Sequence, residues 1–136
     1  MLGLDRGVVT LYANDDMSTP FGRKIKERRH RLDLSLRKVC EAVHNEDGKS
    51  ISVSYLNDIE QGHRNPPGGK IIVQLAEVLQ FNVQELLKLA GKADPVIEKA
   101  VERNAKVGVL FRRIAQQLES DPGVVDRLSK EIDKKT

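Results

Sequence analysis

The sequence predicts an all-α protein, with five short helices in one domain and a helical extension after it. Two observations favour helices. Apolar residues recur at spacings of three and four, and residues typical of helix caps bound each apolar stretch. The third observation is the composition, because three Phe, two Tyr and no Trp leave the core to aliphatic residues. Such a core suits helices that pack through interdigitating side chains.

The first two helices carry clear start signals. Thr19 is the expected cap of the first helix and Pro20 its first residue, since proline needs no amide partner there. Phe21 and Ile25 begin the apolar stripe of this helix. Ser35 is the expected cap of the second helix. Its apolar face comprises four residues at helical spacing: Leu36, Val39, Cys40 and Val43.

A polar loop, residues 44–50, separates the second helix from the third. The third helix is predicted to follow its cap Ser52 and to stop at Gly62, because glycine accepts the left-handed conformation that often ends a helix. Its inward positions are Leu56 and Ile59. This pattern predicts a short helix with one apolar face.

Two more helices complete the domain. Pro and Gly interrupt residues 63–69, and the fourth helix then carries an apolar face: Ile71, Ile72, Leu75, Ala76, Val78 and Leu79. The fifth helix opens with a capping box at Asn82 and Glu85 and ends at Gly91. Helices of this length are marginal alone in water. We therefore expect all five to share one core between residues 19 and 93.

The remaining features favour a cytoplasmic protein. Residues 1–18 are expected to form a flexible arm, since their one β-like run has no partner strand nearby. No apolar run approaches the roughly 20 residues that cross a bilayer, and no secretory signal is expected. Cys40, the single cysteine, cannot form an internal disulfide, and we expect a buried structural thiol.

Neither catalysis nor a cofactor is expected. His30, His44 and His63 lie apart and lack Cys or carboxylate partners at ligand spacing, which argues against a metal site. The chain has no glycine-rich dinucleotide motif, no phosphate-binding loop and no nucleophile beside an evident base. The sequence therefore predicts a protein that is not an enzyme.

Basic residues concentrate in the first helix, where Glu27 is the only acid among them. The cluster comprises six residues: Arg23, Lys24, Lys26, Arg28, Arg29 and Arg31. Such a local excess attracts polyanions and supplies phosphate contacts. A solvated helix face that only aids solubility has the same composition, so charge alone leaves both interpretations open.

Residues 51–66 resemble the recognition-helix signature of the lambda-repressor/Cro-like family of helix-turn-helix regulators, also called the Xre family. The matching residues are Ser52, Tyr55, Leu56, Ile59, Glu60, Gly62, Arg64 and Pro66. Flanking residues 22–26, 75–79 and 86–91 match as well, so the resemblance covers a little over half of the chain. It implies a five-helix, lambda-repressor-like domain that lays its third helix in the major groove of double-stranded DNA.

The resemblance also implies DNA-binding residues. Three outward side chains of the third helix are expected to face the bases: Val53, Ser54 and Asn57. Ser52 is expected to open the helix toward a phosphate or base edge. Tyr55 is expected to bond a phosphate through its hydroxyl, and Arg64 resembles the family's phosphate clamp. Alternatively, this helix is one more surface helix of a bundle.

Two departures from the family pattern concern the approach to DNA. The family often has Gln as the second residue of the second helix; Leu36 stands there, and Arg37 or Lys38 is expected to make the backbone contact. The loop at residues 44–50 is several residues longer than the family turn. We expect it to loosen the crossing of the two helices and to bring Lys49 to a phosphate.

The tail, residues 94–136, is predicted to be helical from Asp94-Pro95 onward. A heptad seam recurs at alternating spacings of four and three: Ile97, Val101, Asn104, Gly108, Phe111, Ala115 and Leu118. It predicts one helix as far as Glu119 or, because Asn104 and Gly108 weaken the seam, either a bend or two helices. Asp121-Pro122 predicts the start of a last helix.

The tail stripes either pack on the first domain or form a dimer interface. A dimer is favoured because an inverted repeat needs two reading heads held about 34 Å apart. The leading hypothesis is a homodimeric repressor that binds an inverted-repeat operator, with the third helix on the bases and the first helix, Arg37 and Arg64 on phosphates. The family resemblance also implies a regulatory partner at the tail, since a metallopeptidase inactivates some Xre regulators with similar tails. The alternatives are an antitoxin whose tail binds a toxin and an interaction module that does not bind DNA.

Overall fold

The computed structural model describes residues 18–135, which form helices, turns and one isolated β-bridge. The helices in this range are α1 (Pro20–Arg31), α2 (Leu36–Glu41), α3 (Val53–Gln61), α4 (Gly69–Val78), α5 (Val83–Ala90), α6 (Pro95–Arg103), α7 (Ala105–Ser120) and α8 (Val124–Lys135). The all-α prediction is confirmed for these residues. The chain divides into two compact units, Met1–Asp94 and Pro95–Thr136. The arm expected at residues 1–18 lies outside the described residues except for Ser18.

Local capping fixes the ends of the helices in the first unit. Four side chains accept a hydrogen bond from the amide three residues later: Thr19, Ser35, Ser52 and Asn82. Gly62 and Gly91 end α3 and α5 with φ angles of 82° and 65°, a conformation that strains most side chains. The predicted caps of α1, α2, α3 and α5 and the predicted stops of α3 and α5 are therefore confirmed.

One aliphatic core joins the five helices of the first unit. Its buried members are Phe21, Ile25, Val39, Cys40, Val43, Ile51, Leu56, Ile59, Ile72, Leu75, Ala76, Leu79, Leu86 and Leu87. Leu36 is half-buried and packs against this cluster, so it belongs to the core edge. The predicted inward faces of α1 to α4 are thus confirmed at the positions listed.

Helices α1 and α3 approach each other at Gly22. A Cβ atom at this position would lie 2.5 Å from the carbonyl oxygen of Ile59 and 3.0 Å from that of Glu60. No ordinary side chain fits so close to a backbone. Glycine at this site therefore lets the backbone of α1 rest directly on the last turn of α3.

The loop between α2 and α3 is held by internal hydrogen bonds, and the expectation that it loosens the helix crossing stays a prediction. His44 and Ser50 form an antiparallel bridge, and the Asn45 amide donates to the carbonyl of Lys49 at 2.8 Å. Gly48 turns the chain with a φ of 83°. The additional residues form a small hairpin whose backbone groups pair with one another.

A side chain of α4 fastens this hairpin to the domain. The Gln74 amide nitrogen donates to the His44 carbonyl at 2.9 Å, and the Gln74 amide oxygen accepts from the His44 amide at 2.8 Å. The Ile51 amide donates to the Val43 carbonyl at 3.0 Å, which closes the base of the hairpin. The residues on either side of the loop, Val43 and Ile51, are both buried in the core.

The second unit contains α6, α7 and α8. The prediction of one unbroken helix as far as Glu119 is wrong, and the alternative prediction of two helices is correct. Asn104 stops α6 and caps α7 by accepting from the Lys106 amide at 3.0 Å, because a short polar side chain competes with helix continuation. The last helix begins at Val124, a little beyond the Asp121-Pro122 signal.

The second unit covers little of its apolar surface. In its described part, residues 95–135, Val124 is the only buried residue. Ten large hydrophobic side chains are exposed: Val96, Ile97, Val101, Val109, Leu110, Phe111, Leu118, Val125, Leu128 and Ile132. Among the helices that the structure describes, none combines the length and apolarity needed to span a membrane.

Candidate nucleic-acid interface

Helix α3 has distinct inward and outward sides. Leu56, Ile59 and Glu60 are buried. Ser54 and Asn57 are exposed, and Val53, at the start of the helix, retains 38% exposure. The three residues predicted to face bases therefore all reach solvent, and their contact with bases stays a prediction.

Two residues on the outward side were missed by the sequence reasoning. Asp58 and Gln61 follow Ser54 by roughly one and two helical turns, so they extend the same stripe. Both are half-buried. Counting the 3.6-residue period from the buried Leu56 would have found them. A carboxylate can accept from the amino group of cytosine, and a glutamine amide can pair with adenine.

The first turn of α3 is an open helix N-terminus. The Ser52 hydroxyl oxygen accepts from the Tyr55 amide at 3.1 Å, and the Ser52 carbonyl accepts from the Leu56 amide at 3.1 Å. The amides of Val53 and Ser54 lie in the first turn, where no carbonyl of the helix stands four residues earlier to accept from them. This turn therefore offers two backbone donors and the positive end of the helix dipole to an anion.

Arg64 lies against the aromatic residue of α3. The central carbon of its guanidinium is 5.1 Å from the centroid of the Tyr55 ring, within range of a cation–π interaction. Tyr55 is half-buried and packs on the core, whereas Arg64 is exposed. Arg64 thus lies beside the first half of α3, next to the predicted DNA-binding residues 52–57.

Three other predicted phosphate ligands lie outside α3. Arg37 and Lys38 are exposed on α2, and Lys49 is exposed in the hairpin. The Cys40 thiol contacts the Ser52 carbonyl at 3.5 Å, so α2 and the start of α3 are neighbours. Within residues 18–135, no side-chain hydrogen bond or ion pair given by the structure joins Arg37, Lys38 or Lys49 to the outward face of α3.

Two arginines of the basic first helix are committed to the fold, which corrects their interpretation as phosphate ligands. The Arg29 guanidinium forms a buried pair with the Glu60 carboxylate, with N–O distances of 2.8 and 2.9 Å. Hydrogen bonding to Glu60 raises the pKa of Arg29. Arg28 donates to the carbonyls of Leu79 and Gln80, which directly follow α4. These donors satisfy internal acceptors.

The other basic residues of α1 are nearer the surface. Glu27 pairs with Lys24 at 3.2 Å and with Arg31 at 3.6 Å. Arg23 and Lys26 are exposed, and the part of the chain that is described gives them no ion pair. The cationic surface that α1 offers to a polyanion is therefore smaller than its composition indicates.

The thiol and imidazole groups give no sign of a reactive site. Cys40 is 3% exposed, and burial raises its pKa, which disfavours the nucleophilic thiolate. Across residues 18–135, no three His, Cys, Asp or Glu side chains are grouped so that they could hold a metal ion. Apart from Val53, the exposed side chains described above in and beside α3 are polar or cationic: Ser52, Ser54, Asn57 and Arg64.

Comparison with known proteins places a family match on the same unit. Residues 20–89 match the model of a family described as a helix-turn-helix domain. The match covers just over half of the chain and extends from the start of α1 into α5. Neither the curated proteins nor the solved structures gave a match.

Proposed function

The chain belongs to the helix-turn-helix domain family, and we propose that it is a sequence-specific transcriptional repressor of the Xre type. The family supports a DNA-binding transcription regulator. The observation that carries the finer proposal is the outward face of α3, where short polar side chains are exposed beside an open helix N-terminus. A surface helix selected only for stability would favour Glu, Lys or Ala at such positions.

In the proposed complex α3 lies in the major groove, as in the lambda-repressor-like fold. Asn57 pairs with an adenine, Ser54 bonds a base edge and Val53 meets a thymine methyl. The buried inward face of α3 supports this orientation, because it leaves these side chains on the side away from the core. Specificity then resides in the first two turns of the helix.

Phosphate contacts hold the domain in register on the duplex. We assign them to Ser52 with the helix N-terminus, to Tyr55 or the Arg64 beside it, and to Arg37, Lys38 and Lys49. Exposure of these basic side chains supports the assignment. Backbone contacts of this kind set affinity and orientation, whereas base contacts set specificity.

The proposed domain arrangement is an arm at 1–18, a DNA-binding domain at 19–93 and a dimerising tail at 94–136. The tail exposes ten large hydrophobic side chains and buries only Val124 among its described residues. A unit this small gains little stability from so small a core. A second copy of the chain would cover the apolar stripes and supply the second head that an inverted repeat requires.

Selection from random duplexes tests the proposed function. The full chain should enrich one short motif arranged as an inverted repeat. Asn57→Ala should lose discrimination at one position of each half-site by about 1–3 kcal/mol while nonspecific binding persists. Gln116→Ala, which removes an exposed amide from α7, is the matched control and should enrich the wild-type motif. Failure of the wild-type chain to enrich any motif would contradict sequence-specific binding.

A further inference from the structure

We propose that Tyr55 is a positioning residue whose ring holds the Arg64 guanidinium edge-on for a phosphate, and that its hydroxyl is not the ligand. The inference rests on the proposed function, because it concerns how the phosphate contact beside α3 is built. The observation that carries it is the 5.1 Å separation between the guanidinium carbon of Arg64 and the ring centroid of Tyr55.

The turn at the end of α3 brings Arg64 to this ring. The Gly62 amide donates to the Ile59 carbonyl at 3.2 Å, and the His63 amide donates to the Asp58 carbonyl at 2.9 Å. Gly62 has a φ of 82°, so the chain reverses as it leaves the helix. Arg64 thereby returns toward the first half of α3, where Tyr55 lies.

Tyr55 is a fixed platform. Its ring is half-buried against the aliphatic core, and its amide is held by the Ser52 cap at 3.1 Å. The cap fixes the backbone that carries the ring, and the packing against the core restricts the ring itself. A cation that stacks on this ring therefore takes its position from the core of the domain and from the cap of the helix.

The guanidinium of Arg64 is available for an anion. Arg64 is exposed, and among residues 18–135 the structure gives its N–H groups neither a hydrogen bond nor an ion pair. The contact with the ring occupies one side of the guanidinium, and its five N–H donors include some on the other side that can reach an anion. Edge donors in a fixed fork match the oxygens of a phosphate. Arg28 and Arg29, by contrast, donate to internal acceptors.

Nonspecific binding of the full chain to a random-sequence duplex measures this contact directly. Fluorescence anisotropy at a series of salt concentrations gives Kd and its salt dependence for each variant. Arg64→Ala should weaken binding and lower the log–log salt slope by about 0.9, the effect of one lost phosphate contact. Tyr55→Leu should weaken binding about two- to fivefold, as expected for loss of an exposed cation–π contact. Tyr55→Phe should bind like the wild type.

The double variant Tyr55→Leu with Arg64→Ala separates positioning from an independent role. If the ring acts through Arg64, the double variant should bind like Arg64→Ala alone. An additional loss in the double variant, or a loss in Tyr55→Phe as large as in Tyr55→Leu, would overturn the inference and assign the contact to Tyr55 itself. The midpoint of urea unfolding, measured for each variant, detects any damage to the core.

Arg64→Lys tests the same contact without touching the core. Lysine keeps the charge but lacks the planar fork, so the salt slope should stay while binding weakens severalfold. Wild-type affinity in Arg64→Lys would overturn the edge-on geometry. A separate outcome would refute the proposed function: a wild-type chain that does not bind duplex DNA. If Arg64→Ala keeps both the affinity and the operator preference of the wild type, only the Arg64 phosphate contact is refuted.

Discussion

The guanidinium of Arg29 and the carboxylate of Glu60 form a two-point ion pair inside the first unit. Nε lies 2.8 Å from Oε2 and Nη2 lies 2.9 Å from Oε1, and the two residues are only 8% and 2% exposed. A further donor of Arg29 reaches the Leu34 carbonyl at 3.0 Å. The pair joins α1 to the last turn of α3. It therefore fixes the rotation of α3 from the side opposite the proposed DNA-binding face.

Arg29→Met should destabilise the domain by about 3–5 kcal/mol, because it leaves a buried carboxylate without its partner. Urea unfolding at neutral pH measures the change. Arg23→Met removes an exposed arginine from the same helix and should change stability by less than about 0.5 kcal/mol. Combining Arg29→Met with Glu60→Leu should recover much of the loss, since neither replacement needs a polar partner. Wild-type stability in Arg29→Met would mean that the pair is solvated.

Gly22→Ala should separate α1 from α3. The added methyl would lie 2.5 Å from the Ile59 carbonyl oxygen, so the helices must move apart at a cost of about 1–3 kcal/mol. Gly108→Ala is a control in α7, where a methyl would meet only Val101 at 3.6 Å. Alanine there should leave stability unchanged or raise it, since alanine favours helix. Equal thermal shifts in the two variants would contradict the close approach at Gly22.

Gln74→Ala should open the hairpin between α2 and α3 without unfolding the domain. The two hydrogen bonds to His44 are exposed, so the expected loss of stability is only about 0.5–1.5 kcal/mol per bond. Amide exchange at Asn45, which bonds Lys49 across the hairpin, should become faster. Gln84→Ala on α5 is the matched control. Unchanged exchange at Asn45 would show that the hairpin holds its shape without Gln74.

The features that could be predicted from the sequence are local ones. Caps at Thr19, Ser52 and Asn82 depend on residues three positions apart, and the inward faces depend on spacings of three and four. Both signals involve residues that lie within one or two helical turns of each other. The helix order and most of the core followed from them without knowledge of any tertiary contact.

The features that could not be predicted depend on partners far apart in the chain. Nothing near Arg29 marks Glu60 as its partner, and nothing near His44 points to Gln74. The composition of α1 therefore overstates its phosphate-binding surface, and the attachment of the loop at residues 44–50 to α4 leaves no local signal in the sequence. For α3 the resemblance directed attention to Asn57, whereas helical geometry also adds Asp58 to the outward stripe.

The Cys40 thiol should resist modification in the folded chain. Burial raises its pKa most, the nearby Glu60 carboxylate raises it further, and the Arg29 guanidinium opposes these effects. A thiol-specific chromogenic reagent should therefore react slowly under native conditions and rapidly in urea. Rapid labelling of the native chain would contradict the buried position.

The raised pKa of Cys40 also predicts that the free energy of unfolding depends on pH. A pKa that is higher in the folded state stabilises the fold fully below the ordinary thiol pKa of about 8.5. This contribution is lost as the pH rises through the folded pKa of Cys40. Cys40→Val should therefore lose less stability than the wild type as the pH rises. The free energy of unfolding, measured for both chains from neutral pH upward, tests this. Parallel profiles would refute the assignment to Cys40.

Phe111→Asp should dissociate the proposed dimer of the full chain. Phe111 belongs to the apolar stripe of α7 with Ile114 and Leu118, whereas Val109 projects from the other side of the helix because successive residues are 100° apart. Val109→Asp is therefore a matched control, with the same new charge on an exposed apolar residue of the same helix. Sedimentation equilibrium should give a dimer for the wild type and Val109→Asp and a monomer for Phe111→Asp.

The DNA consequence separates dimerisation from the fold of the reading head. A monomer still carries α3, so Phe111→Asp should keep wild-type affinity for a single half-site and lose affinity for the inverted repeat. Linking two heads raises the effective concentration of the second head once the first is bound, and a monomer lacks that gain. A monomeric wild type, or a Phe111→Asp variant that stays dimeric, would show that the apolar stripe of α7 does not join two copies.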